Sequence, residues 1–529
     1  MPPHPSTEHT GHPRRWAILG VLVFSLLVVV LDNTILNVAL RTIADPRRGL
    51  GATQSELEWS INSYTLVFAG LLFTFGVIGD RLGRKRVLIA GMAVFGLSSL
   101  ASAYAQTPEQ LIAARALMGL GGAAIMPQTL SIITNVFDPR ERGRAIGVWS
   151  GAVGLAVAIG PVTGGLLLSH FWWGSVFLVN VPIVAVGLAG MLWLVPESRN
   201  PDPGRIDPLG VLLSIVGLVA LSYGIIEGGE RGRWLEPAVL GPIAVGLAVI
   251  ALFAWHEART DHPAFDVRLF RDPRLSVAVG SIAFCFFATS GVFFFGSFYL
   301  QSVRGLSPLQ AGLMMLPFAA AQLIFSPRSA LMVRRYGARA VCTTGMLLVT
   351  AAMLGYQLCD ENTPLWVFGA VAFVQGSGMA NVMPPATESV MSALPREKAG
   401  AGSALNNTAR QVAVAMGVAV LGSLLASVYR GEMRGPLDRL PAGVPEDVRH
   451  VAGESIEGTL SLAGRLGPAG EALIAPAREA FVHGMHVAAV GSAVMAFLGA
   501  LLVLRWMPGR SAPEPTGPAS QAAPAEQRL

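Results

Sequence analysis

The sequence predicts an all-α polytopic membrane protein: about fourteen transmembrane helices, as two parallel six-helix repeats plus two inserted central helices. Three observations carry this. The 529-residue chain is 52% hydrophobic and only 13% charged, against about 25% charged in a soluble domain. Apolar runs of roughly 20 residues, enough to cross a bilayer as a helix, recur from Trp16 to Trp506. Blocks of the first half return in the second at a nearly constant offset. The runs lack the alternation over about 10 residues that marks barrel strands, so helices are the expected spanning element.

Run length places the spans at about 16–40, 58–79, 87–105, 109–134, 145–169, 175–195, 208–227, 236–255, 275–300, 308–331, 338–358, 365–390, 401–428 and 480–506. The first run follows Arg14 and Arg15, contains Asp32 and is too long for a signal-peptide core, so it reads as a span. An even count puts both termini on one side. Basic residues choose the side: Arg81, Arg84, Lys85 and Arg86 share a membrane face with Arg140, Arg142, Arg144, Arg334, Arg335, Arg396 and Lys398, whereas "SAYAQTPEQ" and "CDENTP" carry none. By the positive-inside rule both termini are expected in the cytoplasm, in a multi-pass protein of the cytoplasmic membrane. Arg41, Arg47 and Arg48 are exceptions, in the first outer loop.

The repeat sets the domain organisation. "RLGRKRVLIAGM" from Arg81 resembles "RYGARAVCTTGM" from Arg335. "GLGGAAIMP" from Gly119 resembles "GSGMANVMP" from Gly376, and "PRER" from Pro139 resembles "PREK" from Pro395. The offsets are 254, 257 and 256 residues. Both copies of each block face the same side, so the repeats are parallel, a transporter architecture with binding between the halves. The expected layout is a cytoplasmic tail at 1–15, a first half at 16–200, inserted helices at 201–258, and a second half at 259–507. An outer loop at about 430–478 carries surface helices in "EDVRHVAGESIEGTL" and "PAREAFVHGM". A disordered cytoplasmic tail follows at 508–529.

Several function classes find no support. The net charge of +5 comes largely from short loops rather than a nucleic-acid patch. Lys85 and Lys398 are the only lysines and neither follows a glycine, so no G-K-[ST] phosphate loop exists and ATP is not an expected energy source. Cys285, Cys342 and Cys359 show no disulfide framework or metal spacing. His483 and His486 lack further ligands nearby and read as structural. No nucleophile–base pair argues for an enzyme. No cofactor and no metal are expected.

"GVIGDRLGRKR" from Gly76 joins spans 2 and 3. Gly76 and Gly83 allow close packing and a tight turn. Asp80 ends a helix, where the dipole disfavours an anion, so it needs a cation or a facing helix N-terminus. Arg81 or Arg84 can supply the cation, and the group would latch one half against the other; ordinary positive-inside charge is the plainer alternative. This block resembles the major facilitator superfamily signature between spans 2 and 3. "LDNTILNVAL", "ARALMGLGGA" around Arg115, "GPVTGG" from Gly160, "FLVNVPI" and "MPPATESVMSALPREKAGAGSALNNTARQ" resemble motifs of its fourteen-span drug:proton antiporters, the EmrB/QacA type. The resemblance implies the superfamily fold and proton-driven efflux of hydrophobic or amphipathic organic compounds such as drugs and antibiotics. It makes Gly160, Pro161, Gly164 and Gly165 the antiporter-motif helix. The expected partners are a small-molecule substrate, protons and the lipid bilayer, with no nucleic acid and no ATP, and the chain is expected to act as a monomer. A proton-coupled nutrient importer and a narrow self-resistance exporter are the alternatives.

Other spans carry weaker signals. Small residues of span 5, from Gly147 to Gly165, bare one side of the helix for close approach, and Pro161 favours a bend. In span 9, Phe284, Phe287, Gly291, Phe294 and Phe298 form a stripe that lines a cavity for flat substrates or else faces lipid or core. Tyr64, with Gln128, Tyr299 and Gln322, is a further cavity candidate. In span 13 Arg410 is at a depth to meet Glu388.

Asp32 is the sharpest candidate. It lies roughly 13 Å from the outer end of its helix, and Arg115 roughly 10 Å from the same surface. If spans 1 and 4 are neighbours the two can pair. Ser25, Asp32, Asn33 and Asn37 share one side of span 1, so Asp32 points to water or protein rather than lipid. Buried membrane carboxylates mark ion pathways, making Asp32 and Arg115 the proton-coupling candidates and Asn33, Asn37 and Tyr64 their cavity neighbours. A purely structural ion pair is the alternative.

Overall fold

The computed structural model describes residues 11–45, 48–52, 54–200, 207–231, 234–260, 267–439, 449, 452–466 and 468–508. The tail expected at 508–529, all but its first residue, and much of the loop tip at 440–451 lie outside these. Among the described residues, 14 helices are long and apolar enough to cross a membrane. Spans 1 to 6 are Arg15–Leu36, Glu56–Leu82, Arg84–Ala103, Pro108–Val136, Pro139–His170 and Ser175–Leu194. Spans 7 and 8 are Pro208–Gly228 and Pro237–Glu257. Spans 9 to 14 are Pro273–Val303, Leu309–Tyr336, Ala338–Leu358, Leu365–Ser392, Arg396–Asp438 and Gly470–Trp506.

Local chemistry explains where these helices start and stop. Spans 4, 5, 8 and 9 begin with proline at the first turn, where its missing N–H costs nothing. Thr107, Asp138 and Asp272 cap spans 4, 5 and 9 through their side chains. Gly83 and Gly337 turn the chain between spans 2 and 3 and between spans 10 and 11, with φ of 112° and 86°. These are corresponding places in the two repeated blocks, and a side chain there would be strained.

The packing repeats too. Span 4 lies on spans 2 and 3, and span 12 on spans 10 and 11; span 1 lies on spans 5 and 6, and span 9 on spans 13 and 14. Matching glycines let the backbones approach. A Cβ on Gly91 would come 3.0 Å from the Gly121 carbonyl oxygen, and one on Gly345 2.8 Å from that of Gly378. The halves meet where span 5 lies on spans 10 and 12 and span 13 on spans 2 and 4, again an equivalent pair of contacts. Spans 7 and 8 pack on each other. Span 7 also lies against spans 2 and 13, and Phe253 of span 8 meets Phe73 of span 2 edge-on, with ring centroids 5.6 Å apart.

Two helices differ from expectation. Span 13 runs 43 residues and span 14 37 residues, far more than the roughly 20 a bilayer needs. The segment "PAREAFVHGM" is therefore the start of span 14, not a separate surface helix. The overhanging ends pair with the helix Ile456–Leu466: Tyr429 bonds Thr459 at 2.7 Å, and Met433, Leu437, Ile456, Leu462 and Leu473 share one apolar cluster. Burial of that cluster keeps both helices wound beyond the membrane.

Close approach can be tested at Gly119, where a Cβ would stand 2.5 Å from the Tyr64 carbonyl oxygen. Backbone cannot move aside, so Gly119→Val should cost the upper part of the usual overpacking range, about 1–3 kcal/mol. Gly20, with nothing within 4 Å of its Cβ position, is the control. Thermal unfolding in detergent should show a clearly lower midpoint for Gly119→Val and little change for Gly20→Val.

Candidate substrate and proton site

Asp32 and Arg115 form a salt bridge through Oδ2 and Nη1, with both residues almost wholly enclosed, 2% and 1% exposed. Span 1 and span 4 are neighbours at this depth. Other elements complete the pair. Asn180 of span 6 donates to Asp32 Oδ1 at 3.1 Å and to Ser99 Oγ at 3.1 Å. Arg115 Nε donates to the Ser60 carbonyl at 3.2 Å, and its guanidinium lies 4.4 Å above the Tyr64 ring. Asn33 donates to the Tyr64 hydroxyl at 3.2 Å. Both charges are thus paired and hydrogen-bonded, as buried ions must be. The Asp32 carboxylate is thus an acid–base group enclosed by hydrogen-bond donors from spans 4 and 6.

Asn180 sits where its own helix is interrupted. Helical segments Ser175–Leu178 and Asn180–Leu194 meet at Val179, and Pro182 cannot donate to the Leu178 carbonyl. The chain's polar opening and its polar side chain coincide.

The loop between spans 2 and 3 forms a cross-half contact. Arg84 donates to Asp80 Oδ1 through Nε at 2.9 Å and Nη2 at 2.6 Å. Asp80 also accepts from the backbone N–H groups of Gly400 at 2.8 Å and Ala401 at 3.1 Å, the opening turn of span 13. Arg84 continues to the carbonyls of Arg396 and Glu397 at 2.9 and 3.1 Å. The Asp80 carboxylate thereby caps a helix of the other half, where the dipole favours an anion. Both a cation and a facing helix N-terminus serve it. A Cβ on Gly76 would lie 2.6 Å from the Gly400 carbonyl oxygen, so Gly76 permits the approach. Arg81 stands half-buried in the last turn of span 2.

The antiporter-motif residues of span 5 are shared between two neighbours. A Cβ on Gly160 would overlap Thr34 of span 1, and one on Gly164 would touch Ile35. Pro161 lies against Gly312 of span 10, and Gly165 faces Leu309. Span 5 is a continuous helix, Pro139–His170, through Pro161.

The cavity candidates separate. Tyr64 belongs to the Asp32–Arg115 cluster. Of the span 9 stripe, Phe287 is buried with its backbone against Gly417 of span 13, and Phe284 packs on Gly499 of span 14. The side chains of Asn37 and Phe294 lie outside the described residues. Tyr299 donates to the Asp360 carbonyl at 2.8 Å, and Gln322 and Gln128 fill the space over Gly154 and Gly79. Glu388 pairs with Arg142 of span 5 at 3.9 Å and not with Arg410; residues at equal depth met a different partner because span 12 borders span 5 across the halves. His483 bonds Glu432, and His486 the Cys359 carbonyl at 3.2 Å.

A model of the Major Facilitator Superfamily matches residues 22–418. The chain belongs to this superfamily. It is a multi-pass membrane transporter and not an enzyme, acting on small molecules. It is 36% identical over 502 residues to the "Multidrug efflux pump LfrA" of Mycolicibacterium smegmatis, covering 94% of this chain and 97% of that one. It is 34% identical to the "Methyl viologen resistance protein SmvA" of Salmonella typhimurium (91% and 96%), and 30% identical to the "Tetracenomycin C resistance and export protein" of Streptomyces glaucescens (96% and 95%). Among solved structures, the human organic anion transporter MFSD10 shares the fold, with a TM-score of 0.60 at 17% identity over 93% of this chain and 100% of that one.

Within this superfamily fold, sequence reasoning missed Asn180, the Ser60 carbonyl and the Arg142–Glu388 contact. Asn180 had a signal, a lone amide inside "FLVNVPI". A backbone carbonyl carries none.

Proposed function

We propose that this protein is a proton-driven antiporter that exports hydrophobic or amphipathic organic compounds across the cytoplasmic membrane. It works without ATP and as a monomer. The observation that carries the reading is Asp32, a carboxylate in mid-bundle whose charge is held by Arg115 and Asn180. Protonation from outside weakens the Arg115 contact; release inside restores it. The Asp80–Arg84 group, clamping span 13, holds the cytoplasmic ends of the halves together in one state and parts in the other. Relatives named for multidrug efflux, methyl viologen resistance and tetracenomycin C export support export over uptake. Growth of a pump-deficient host expressing the protein, against a panel of antibiotics and dyes, tests this. Raised tolerance that vanishes with a protonophore is expected, and unchanged tolerance across the panel would sink it.

Both termini lie in the cytoplasm in this reading, with halves at 16–200 and 259–507 joined by the helices within 201–258. Reporter fusions after Gly204 should report inside and fusions near Gly443 outside. The opposite result at either site removes the inserted pair or the orientation.

A further inference from the structure

Arg410 of span 13 is buried in the bundle, and no counter-ion pairs with it among the described residues. It is 7% exposed and lies about 16 Å along its helix from Ala399. Its Nη2 reaches only the Met126 sulfur, at 3.9 Å, and its guanidinium stands 5.7 Å from the centre of the Phe286 ring. Its electrostatic neighbour is the Tyr64 hydroxyl. No carboxylate is in ion-pairing reach of it among the described residues: Asp32 is held by Arg115 and Asn180, and Glu388 faces Arg142. Met126 and Tyr64 belong to the first half, Phe286 and Arg410 to the second. The unmatched cation therefore sits between the repeats, where transporters of this architecture bind substrate.

A buried ion without a partner is expensive, and removing the partner of a buried pair costs about 3–5 kcal/mol. An anion beside the guanidinium would offset that cost. The surroundings say what kind. An aromatic ring and a thioether flank the guanidinium, surfaces that suit a flat apolar body, while the fork of N–H donors suits a carboxylate or another planar oxyanion. Asp32 is already occupied, so the free charge offered to a substrate is positive.

We propose that Arg410 anchors the acidic group, a carboxylate or phenolate, of an aromatic substrate between the two halves. This rests on the export reading and names its substrate class. A small inorganic anion such as chloride offers the same charge, and the test separates the two.

The test uses three probes with one ring system: pyrenebutyrate, the neutral alcohol pyrenebutanol, and a pyrenebutyl trimethylammonium cation. Binding to the purified full-length protein is read by fluorescence anisotropy, in gluconate and in chloride buffers. The wild type should bind the acid about tenfold or more tighter than the alcohol, a difference of about 1.4 kcal/mol, in both buffers. Arg410→Gln should erase that preference and leave alcohol affinity unchanged; Arg410→Lys should keep part of it. Equal affinity of the wild type for acid and alcohol overturns the proposal, as does an equal loss for all three probes in Arg410→Gln. An acid preference seen only in gluconate also overturns it, because salt then fills the site. Export is scored separately by the growth panel, so failure of this ratio and failure of export are distinguishable results.

Discussion

Asp32→Asn is expected to abolish uphill efflux while leaving the protein in the membrane and able to bind neutral substrate. One charge crossing 100 mV supplies about 2.3 kcal/mol, a gradient of roughly 50-fold for one neutral substrate per proton. An amide cannot carry that proton, so the accumulated ratio in liposomes with an imposed pH gradient should fall to about one. Asparagine offers one amide oxygen to Asn180 or Arg115 and turns its NH2, a donor, toward the other; it also leaves the Arg115 charge unmatched, and loss of one partner of a buried pair costs about 3–5 kcal/mol. The double variant Asp32→Asn/Arg115→Gln removes both charges and should recover folding without recovering uphill transport. A purified Asp32→Asn protein that still drives substrate uphill takes Asp32 out of the coupling mechanism and leaves a structural ion pair.

Asp80→Asn and Arg84→Ala should each slow transport and loosen the contact between spans 2 and 13. Asp80 accepts four hydrogen bonds, two from Arg84 and two from the opening turn of span 13. Hydrogen bonds to a charged group contribute about 1.5–3 kcal/mol. Losing one such increment from the joined state shifts the population toward the parted state by about tenfold to a hundredfold. Ala404 touches the Gly76 position and is fully buried, and the native cysteines are buried as well. A thiol introduced as Ala404→Cys should therefore label at least about tenfold faster in either variant. Unchanged labelling together with normal efflux removes the latch.

The sequence by itself determined the spanning helices and their approximate limits, because bilayer thickness demands a run of apolar residues that composition displays directly. It also determined the equivalence of the halves, since the repeated glycines of "RLGRKR", "RYGARA", "GLGGA" and "GSGMA" meet the same steric need twice. The depths of Asp32 and Arg115 followed from helix rise alone. Rise does not reveal which helices are neighbours, and that is where the sequence stops. Only the tertiary structure brought Asn180 to Asp32, set span 13's opening N–H groups on Asp80, gave Glu388 to Arg142, and left Arg410 without an anion among the described residues. It also turned the Phe284 and Phe287 side of span 9 toward spans 13 and 14. Each of these contacts joins residues on separate helices, and an ion's partner is decided by distances of a few ångströms across an interface, which no periodicity within one helix encodes.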